Sequence, residues 1–144
     1  MPLSRDKLLL VDDDPCFSAI ISAVARQHDF EPHIFSSLVE MGSFARIRDF
    51  DVALIDYYLD MLRGDEIAEY VDTFFGDIPV LIVSSRDFAP EEIAKWPQAV
   101  RRFVSKTEGA EAIVAAARSV LDRERLLKRL AEKPLTDAKA IDTI

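Results

Sequence analysis

Asp12, Asp13, Asp56, Ser84 and Lys106 are spread across most of the chain, yet each follows or closes a short apolar run. The runs are KLLLV before Asp12, VALI before Asp56, IPVLIV before Ser84 and RFVS before Lys106. Aliphatic and β-branched runs of this length are what strands buried on both faces of a parallel sheet look like. All strands of such a sheet end on one edge, where ligands bind, so these side chains converge there. Three carboxylates brought together raise one another's pKa values unless a cation joins them. A hard divalent ion with oxygen ligands, Mg²⁺ or in its place Mn²⁺, relieves that repulsion and neutralises an incoming phosphoryl group. A hydroxyl and an ammonium beside it complete a set able to handle phosphoryl oxygens. Any one of these residues could be a solvated turn former; the set, arriving in this order at corresponding strand ends, is poorly explained that way.

The intervening segments supply the elements that must hold these residues. A first strand over residues 7–11 runs into the acidic cluster, and Asp14 followed by Pro15 predicts an N-cap and first turn for a helix reaching about residue 28. Phe17, Ile20, Ile21 and Val24 would share its apolar face. A weaker strand over 31–35 contains Pro32, which suits a sheet edge. Ser36 or Ser37 can cap a helix containing Leu38, Met41, Phe44, Ala45 and Ile47. A third strand covers 51–55, and a helix follows from Gly64 through Ile67, Ala68, Val71 and Phe74 or Phe75 to a stop at Gly76 and Asp77. Strands over 78–83 and 102–105, a short helix over 90–96 stopped by Pro97, and a long helix from Glu108 or Gly109 complete the pattern. Strands alternating with helices imply right-handed crossovers and an α/β, doubly wound, five-stranded parallel sheet.

Composition narrows the function. The 144 residues fit one domain large enough to bury roughly two thirds of its unfolded surface. A hydrophobic content of 49% with 31% charged residues is that of a globular chain rather than a disordered one. A net charge of −8 argues against direct nucleic-acid binding, which needs a basic patch to release counterions. The four glycines form neither a dinucleotide fingerprint nor a phosphate-cradling Walker loop. One cysteine excludes an internal disulfide. With no secretory leader and no apolar run long enough to cross a membrane, the expected location is the cytoplasm.

The segments LLLVDDDP, DVALIDYYLDMLRG, IPVLIVSS and RRFVSK together resemble the receiver domain of two-component response regulators, over residues 7 to about 121. The resemblance implies a flavodoxin-like fold with strand order 2-1-3-4-5. It makes Asp56 the phosphoacceptor. Asp12, Asp13, Asp56 and the backbone carbonyl of Tyr58 would hold Mg²⁺, and Ser84 and Lys106 would contact phosphoryl oxygens. Phe103 matches the aromatic that couples phosphorylation to the far face, and Tyr58 and Arg86 stand where receivers tune phosphoryl lifetime. The implied partners are a sensor histidine kinase or a histidine phosphotransfer protein, and a homodimer mate on the fourth and fifth helices or the C-terminal extension. The implied protein is a signalling switch that promotes its own phosphorylation, not a turnover enzyme.

Several positions depart from the family pattern. Thr107 stands where proline is common, so a trans peptide or local strain is expected after Lys106. Asp60 replaces a common proline, and Ser85 a common alanine. A competing reading, an aspartate-nucleophile phosphohydrolase of the haloacid dehalogenase type, wants a second Asp two residues after the nucleophile, where this chain has Tyr58. A receiver-like module acting without phosphate is a third reading, opposed by the full set of acidic, hydroxyl and lysine positions.

The end of the chain differs from a compact receiver. Ile113, Ala117, Val120 and Leu121 can pack on the sheet, but Leu126, Leu127 and Leu130 continue the apolar stripe beyond the charged run at 122–125. At about 1.5 Å per residue a helix from 109 to 131 overhangs the domain. Residues 1–122 are therefore expected to form the receiver domain. Residues 123–144 are expected to form a helical extension and a tail broken by Pro134, serving as a dimerising coil, docking helix or connector. His28 and His33 lack ligand-spaced partners and suggest no metal site, Trp96 sits in a region receivers use for partners, and Cys16 is expected in the core.

Overall fold

The computed structural model describes residues 5–59, 62–74 and 78–132. Its strands are β1 (Asp6–Val11), β2 (Phe30–Phe35), β3 (Val52–Asp56), β4 (Val80–Ser84) and β5 (Val100–Ser105). They form one parallel sheet in the order β2-β1-β3-β4-β5, as the resemblance implied. The helices are α1 (Pro15–Gln27), α2 (Leu38–Met41), α3 (Gly64–Phe74), α4 (Pro90–Ile93) and α5 (Ala110–Ala131).

Alternation along the strands divides the apolar residues between two layers. Leu8, Leu10, Leu54, Leu81 and Val83 face α1 and α5, where Ile21, Ala25, Ile113, Val114, Ala117 and Leu121 are buried against them. Leu9, Val11, Ala53, Ile55, Val80 and Ile82 face the other way, onto Met41, Ile47, Ile67, Ala68 and Val71. Because both faces are covered, β1, β3 and β4 read as continuous apolar runs. Register then sets the upper rim: Val11 lies beside Ile55, Asp56 beside Val83, and Ser84 beside Ser105.

Local expectations fail where periodicity underdetermines the backbone. The helix expected to run from Leu38 past Ile47 is instead a single turn, α2, followed by a 3-10 segment at Phe44–Asp49. Ser37 caps the first piece, Gly42 at φ 89° ends it, and the Ser43 hydroxyl caps the second by accepting from Ala45 N. Glycine takes that left-handed conformation without a Cβ penalty, and apolar spacing alone does not distinguish one long helix from two short ones. Helix α4 is also shorter than expected. Beyond Ile93 the bonds Lys95 N to Glu92 O and Trp96 N to Ile93 O are three-residue turns.

Two core assignments are corrected: Cys16 is exposed in the first turn of α1, and Ile20 is 56% exposed. Both point away from the stripe formed by Ser18, Ile21 and Ala25. The histidines have partners that spacing did not suggest, His28 with Glu111 of α5 at 2.6 Å and His33 with Glu31 at 2.7 Å. The β3–α3 connection carries an antiparallel ribbon, Tyr58–Leu59 against Leu62–Arg63, which sequence inspection missed. The expected stop at Gly76 and Asp77, the substitution at Asp60 and the tail around Pro134 lie outside the described residues.

Helix α5 is a single rod of 22 residues. Its charged run is not merely solvated. Arg118 and Arg125 both reach Asp6 at 2.7 Å, and Glu124 pairs with Arg101 at 2.6 Å. Leu126, Leu127 and Leu130 beyond it are 50–59% exposed.

Candidate functional site

Each residue of the site sits where a strand gives way to the next turn. The chain leaves β1 at Asp12, whose Oδ1 accepts from Asp14 N at 2.9 Å; Asp14 Oδ1 then accepts from Cys16 N and Phe17 N at 3.0 and 3.2 Å, which starts α1. The carboxylates therefore shape the turn as well as the rim. Asp56 ends β3, and its Oδ1 accepts from Tyr58 N at 3.4 Å. Gly64 N donates to Tyr57 O and folds the ribbon back against Asp56. A Cβ at Gly64 would lie 2.8 Å from Ile82 Cδ1 and 3.1 Å from Asp56 O, so this close approach requires glycine.

Lys106 follows β5 and opens a 3-10 turn, Lys106–Glu108, closed by a capping box between Ser105 and Glu108. All peptide bonds among the described residues are trans, including the one between Lys106 and Thr107. The ammonium lies 2.7 Å from Asp12 Oδ2 and 3.7 Å from Asp56 Oδ2.

The structure brings Asp12, Asp13, Asp56 and Lys106 together. One oxygen from each of the three carboxylates lies within 4.8 Å of the others. Asp12 and Asp56 are buried while Asp13 is exposed, so the cluster has a dry floor and an open side. Burial pushes the Asp56 carboxyl up to about 6; the Asp12 carboxylate adds to the rise and Lys106 opposes it. Burial works against the Lys106 ammonium, but its hydrogen bond to Asp12 and the charges of Asp12, Asp56 and Asp14 outweigh that and raise its pKa.

A divalent cation fits this donor set. All three donors are hard carboxylate oxygens, and among the described residues Asp12 Oδ2 is buried with no partner other than the Lys106 ammonium.

Ser84 is 3% exposed at the end of β4, and its Oγ accepts from Arg86 N at 3.1 Å rather than bonding Asp56. Tyr58 and Arg86, expected independently, are joined: Arg86 Nη1 donates to the Tyr58 hydroxyl at 2.8 Å while the guanidinium lies 4.7 Å from the Phe88 ring centroid. Phe103 is half-buried at the edge of a ring cluster, 5.2 Å from Phe88 and 6.1 Å from Trp96. Tyr57, next to Asp56, packs on Phe88 at 4.4 Å and on Trp96 at 5.7 Å. Sequence reasoning missed Tyr57, Phe88 and Gly64. The ring cluster was hidden because its members come from separate segments of the chain, and only the short spacing from Asp56 marked Gly64.

Comparisons with known proteins agree with this geometry. The family model described as "Response regulator receiver domain" matches residues 8–118. The chain is 25% identical over 115 residues to the Heme response regulator HssR of Staphylococcus saprophyticus subsp. saprophyticus, covering 80% of this chain and 51% of that protein. It thus spans about half the length of the curated relatives it matches. Among solved structures, a CheY-like response regulator receiver domain protein from Methanospirillum hungatei JF-1 superposes with a TM-score of 0.72 at 18% identity, covering 85% of this chain and 98% of that one. The BeF3-activated N-terminal receiver domain of Klebsiella pneumoniae RstA superposes with a TM-score of 0.68 at 20% identity, covering 81% and 98%. With its fold, its strand-end carboxylates and a family match over most of its length, the chain belongs to the response regulator receiver domain family.

Proposed function

We propose that this chain is a phosphoacceptor switch in which Asp56 takes a phosphoryl group from a phosphohistidine donor. The observation that carries this reading is the convergence of the Asp12, Asp13 and Asp56 oxygens within 4.8 Å, with Lys106 reaching both buried carboxylates. An Asp56 carboxylate oxygen forms a bond to phosphorus as the phosphorus–nitrogen bond of the donor breaks. The bonding pair returns to the donor nitrogen, leaving an acyl phosphate on the protein and an imidazole on the donor. Asp12, Asp13, Asp56 and the Tyr58 carbonyl would hold Mg²⁺, or Mn²⁺, which when bound would supply positive charge to neutralise the transferring group.

The protein's own share of the chemistry is positioning and electrostatics, which a loose phosphoryl-transfer transition state requires. Lys106 shifts from Asp12 toward a phosphoryl oxygen, and Ser84 turns its hydroxyl from the loop to another. The linked Tyr58 and Arg86 side chains cover the acyl phosphate and slow its hydrolysis. Phe103 and the rings around it relay the change toward α4 and β5.

The donor is a sensor histidine kinase or a histidine phosphotransfer protein. The output is altered binding of a partner or of a second copy, through the α4 and α5 side or the exposed leucines of α5. Residues 1–122 act as the receiver and 123–144 as its extension. No helix among the described residues is long and apolar enough to cross a membrane, and the protein acts in the cytoplasm without itself contacting nucleic acid. It promotes its own phosphorylation without turning over a substrate.

Incubation with acetyl phosphate and Mg²⁺, followed by intact mass measurement, should add one phosphoryl group to wild type and none to Asp56→Asn. Equal labelling of the two proteins would overturn the assignment.

A further inference from the structure

The Lys106 ammonium lies 4.5 Å from the centroid of the Phe17 ring, in addition to its ion pairs with Asp12 at 2.7 Å and Asp56 at 3.7 Å. Phe17 belongs to α1 and Lys106 follows β5, so this contact joins two elements through neither's backbone. We propose that Phe17 is a positioning residue for Lys106, its ring face forming a seat along which the ammonium moves between Asp12 and a phosphoryl group on Asp56. This rests on the function proposed above.

The physical need comes from the difference between the two ion-pair distances. Before transfer the ammonium sits against Asp12, and on transfer it must shift toward the new anion. A lysine carries a compact charge on a flexible four-carbon stem, so a directed bond to one carboxylate does not guide it along that path. The ring quadrupole attracts a cation over a broad area, out to about 6 Å from the centroid, and so restrains the ammonium without fixing it to one point.

The seat is itself held in place. Phe17 N donates to Asp14 Oδ1 at 3.2 Å, and the half-buried ring packs against the apolar layer between the sheet, α1 and α5. The turn that begins at Asp12 therefore fixes both the carboxylate and the ring that flank Lys106. An aliphatic side chain at position 17 could fill the same space but would offer the ammonium no attractive face.

Binding of beryllofluoride with Mg²⁺, measured by calorimetry, tests this. Phe17→Leu should weaken binding roughly threefold to tenfold, and Phe17→Tyr should restore it. In a Lys106→Met background, Phe17→Leu should have no further effect. Independently, the Lys106 Hε protons of the wild type should resonate upfield under the ring, in a manner lost in Phe17→Leu and kept in Phe17→Tyr. An equal loss of affinity in the Lys106→Met background, no loss in Phe17→Leu, or unshifted Hε protons would overturn the proposal. If Lys106→Met itself leaves beryllofluoride binding unchanged, the proposed function of the site fails first and the role of Phe17 fails with it.

Discussion

Lys106 is paired more closely with Asp12, at 2.7 Å, than with Asp56, at 3.7 Å. The ammonium therefore neutralises the buried Asp12 carboxylate better than it neutralises Asp56. Asp56 is left buried, near a second carboxylate and incompletely compensated, and that imbalance sets the first prediction.

Ionising Asp56 should destabilise the metal-free protein. Its folded-state pKa, pushed up to about 6 by burial and by Asp12, lies above the ordinary value of 3.8. The folded state thus holds a proton that the unfolded state releases, and stability falls as pH rises from about 4 to about 6 before levelling. Asp56→Asn removes this penalty and should be more stable than wild type above about pH 6.5, by on the order of 2 kcal/mol. Metal-free thermal melts across pH 4–8 would show the gap opening through that interval, and saturating Mg²⁺ should narrow it. A gap that stayed constant with pH would contradict an origin in Asp56 ionisation.

The Tyr58–Arg86 bridge predicts a kinetic effect. Arg86 Nη1 donates to the Tyr58 hydroxyl at 2.8 Å, holding two exposed side chains together beside Asp56. Arg86→Ala and Tyr58→Phe should each speed loss of the acyl phosphate, on the order of fivefold. The double variant should be no faster than the faster single one, as expected for residues acting as one unit. Timed intact mass measurement after removal of acetyl phosphate reads this directly, and unchanged rates would leave the bridge without a role.

Gly64→Ala should destabilise the fold and distort the loop that follows Asp56. Its Cβ would meet Ile82 Cδ1 at 2.8 Å, Tyr57 Cα at 3.0 Å and Asp56 O at 3.1 Å, and two of those atoms belong to backbone that cannot easily give way. The expected cost is about 1–3 kcal/mol. Urea denaturation should show it as a lower midpoint, with Mg²⁺ affinity reduced in the fraction that remains folded.

Asp6 should anchor the middle of α5. It accepts from Arg118 and Arg125, and the hydrogen bond from Arg125 is the main cause holding its carboxyl below the ordinary value, against burial and with help from Arg118. A depressed carboxyl pKa contributes stability that is present above about pH 4 and lost as pH falls through the folded-state value. Asp6→Ala should cost about 1 kcal/mol at pH 7 and less at pH 3. Hydrogen exchange in the α5 turns beyond Arg118 should quicken, and unchanged protection there would show that apolar packing alone holds the helix.

The amino-acid sequence by itself determined the sheet and the identity of the rim. A strand buried on both faces must be written as a continuous apolar run, so each run and the polar residue ending it could be read locally. Parallel pairing then aligned Asp12, Asp56, Ser84 and Lys106 at one edge without knowledge of any side-chain contact. The start of α1 was equally legible, because Asp14 and Pro15 act on neighbouring backbone groups.

Only the tertiary structure decided how the converging groups are paired. Helical periodicity marked Phe17 as apolar but could not show that its ring lies under Lys106, since that depends on how α1 is rotated and placed against β5. The same holds for the Tyr58–Arg86 bridge, for the double grip on Asp6, and for the division of the segment after Ser37 into two short helices. These features depend on distances between separate elements. Such distances are set by packing of the whole core, and no single stretch of residues carries them.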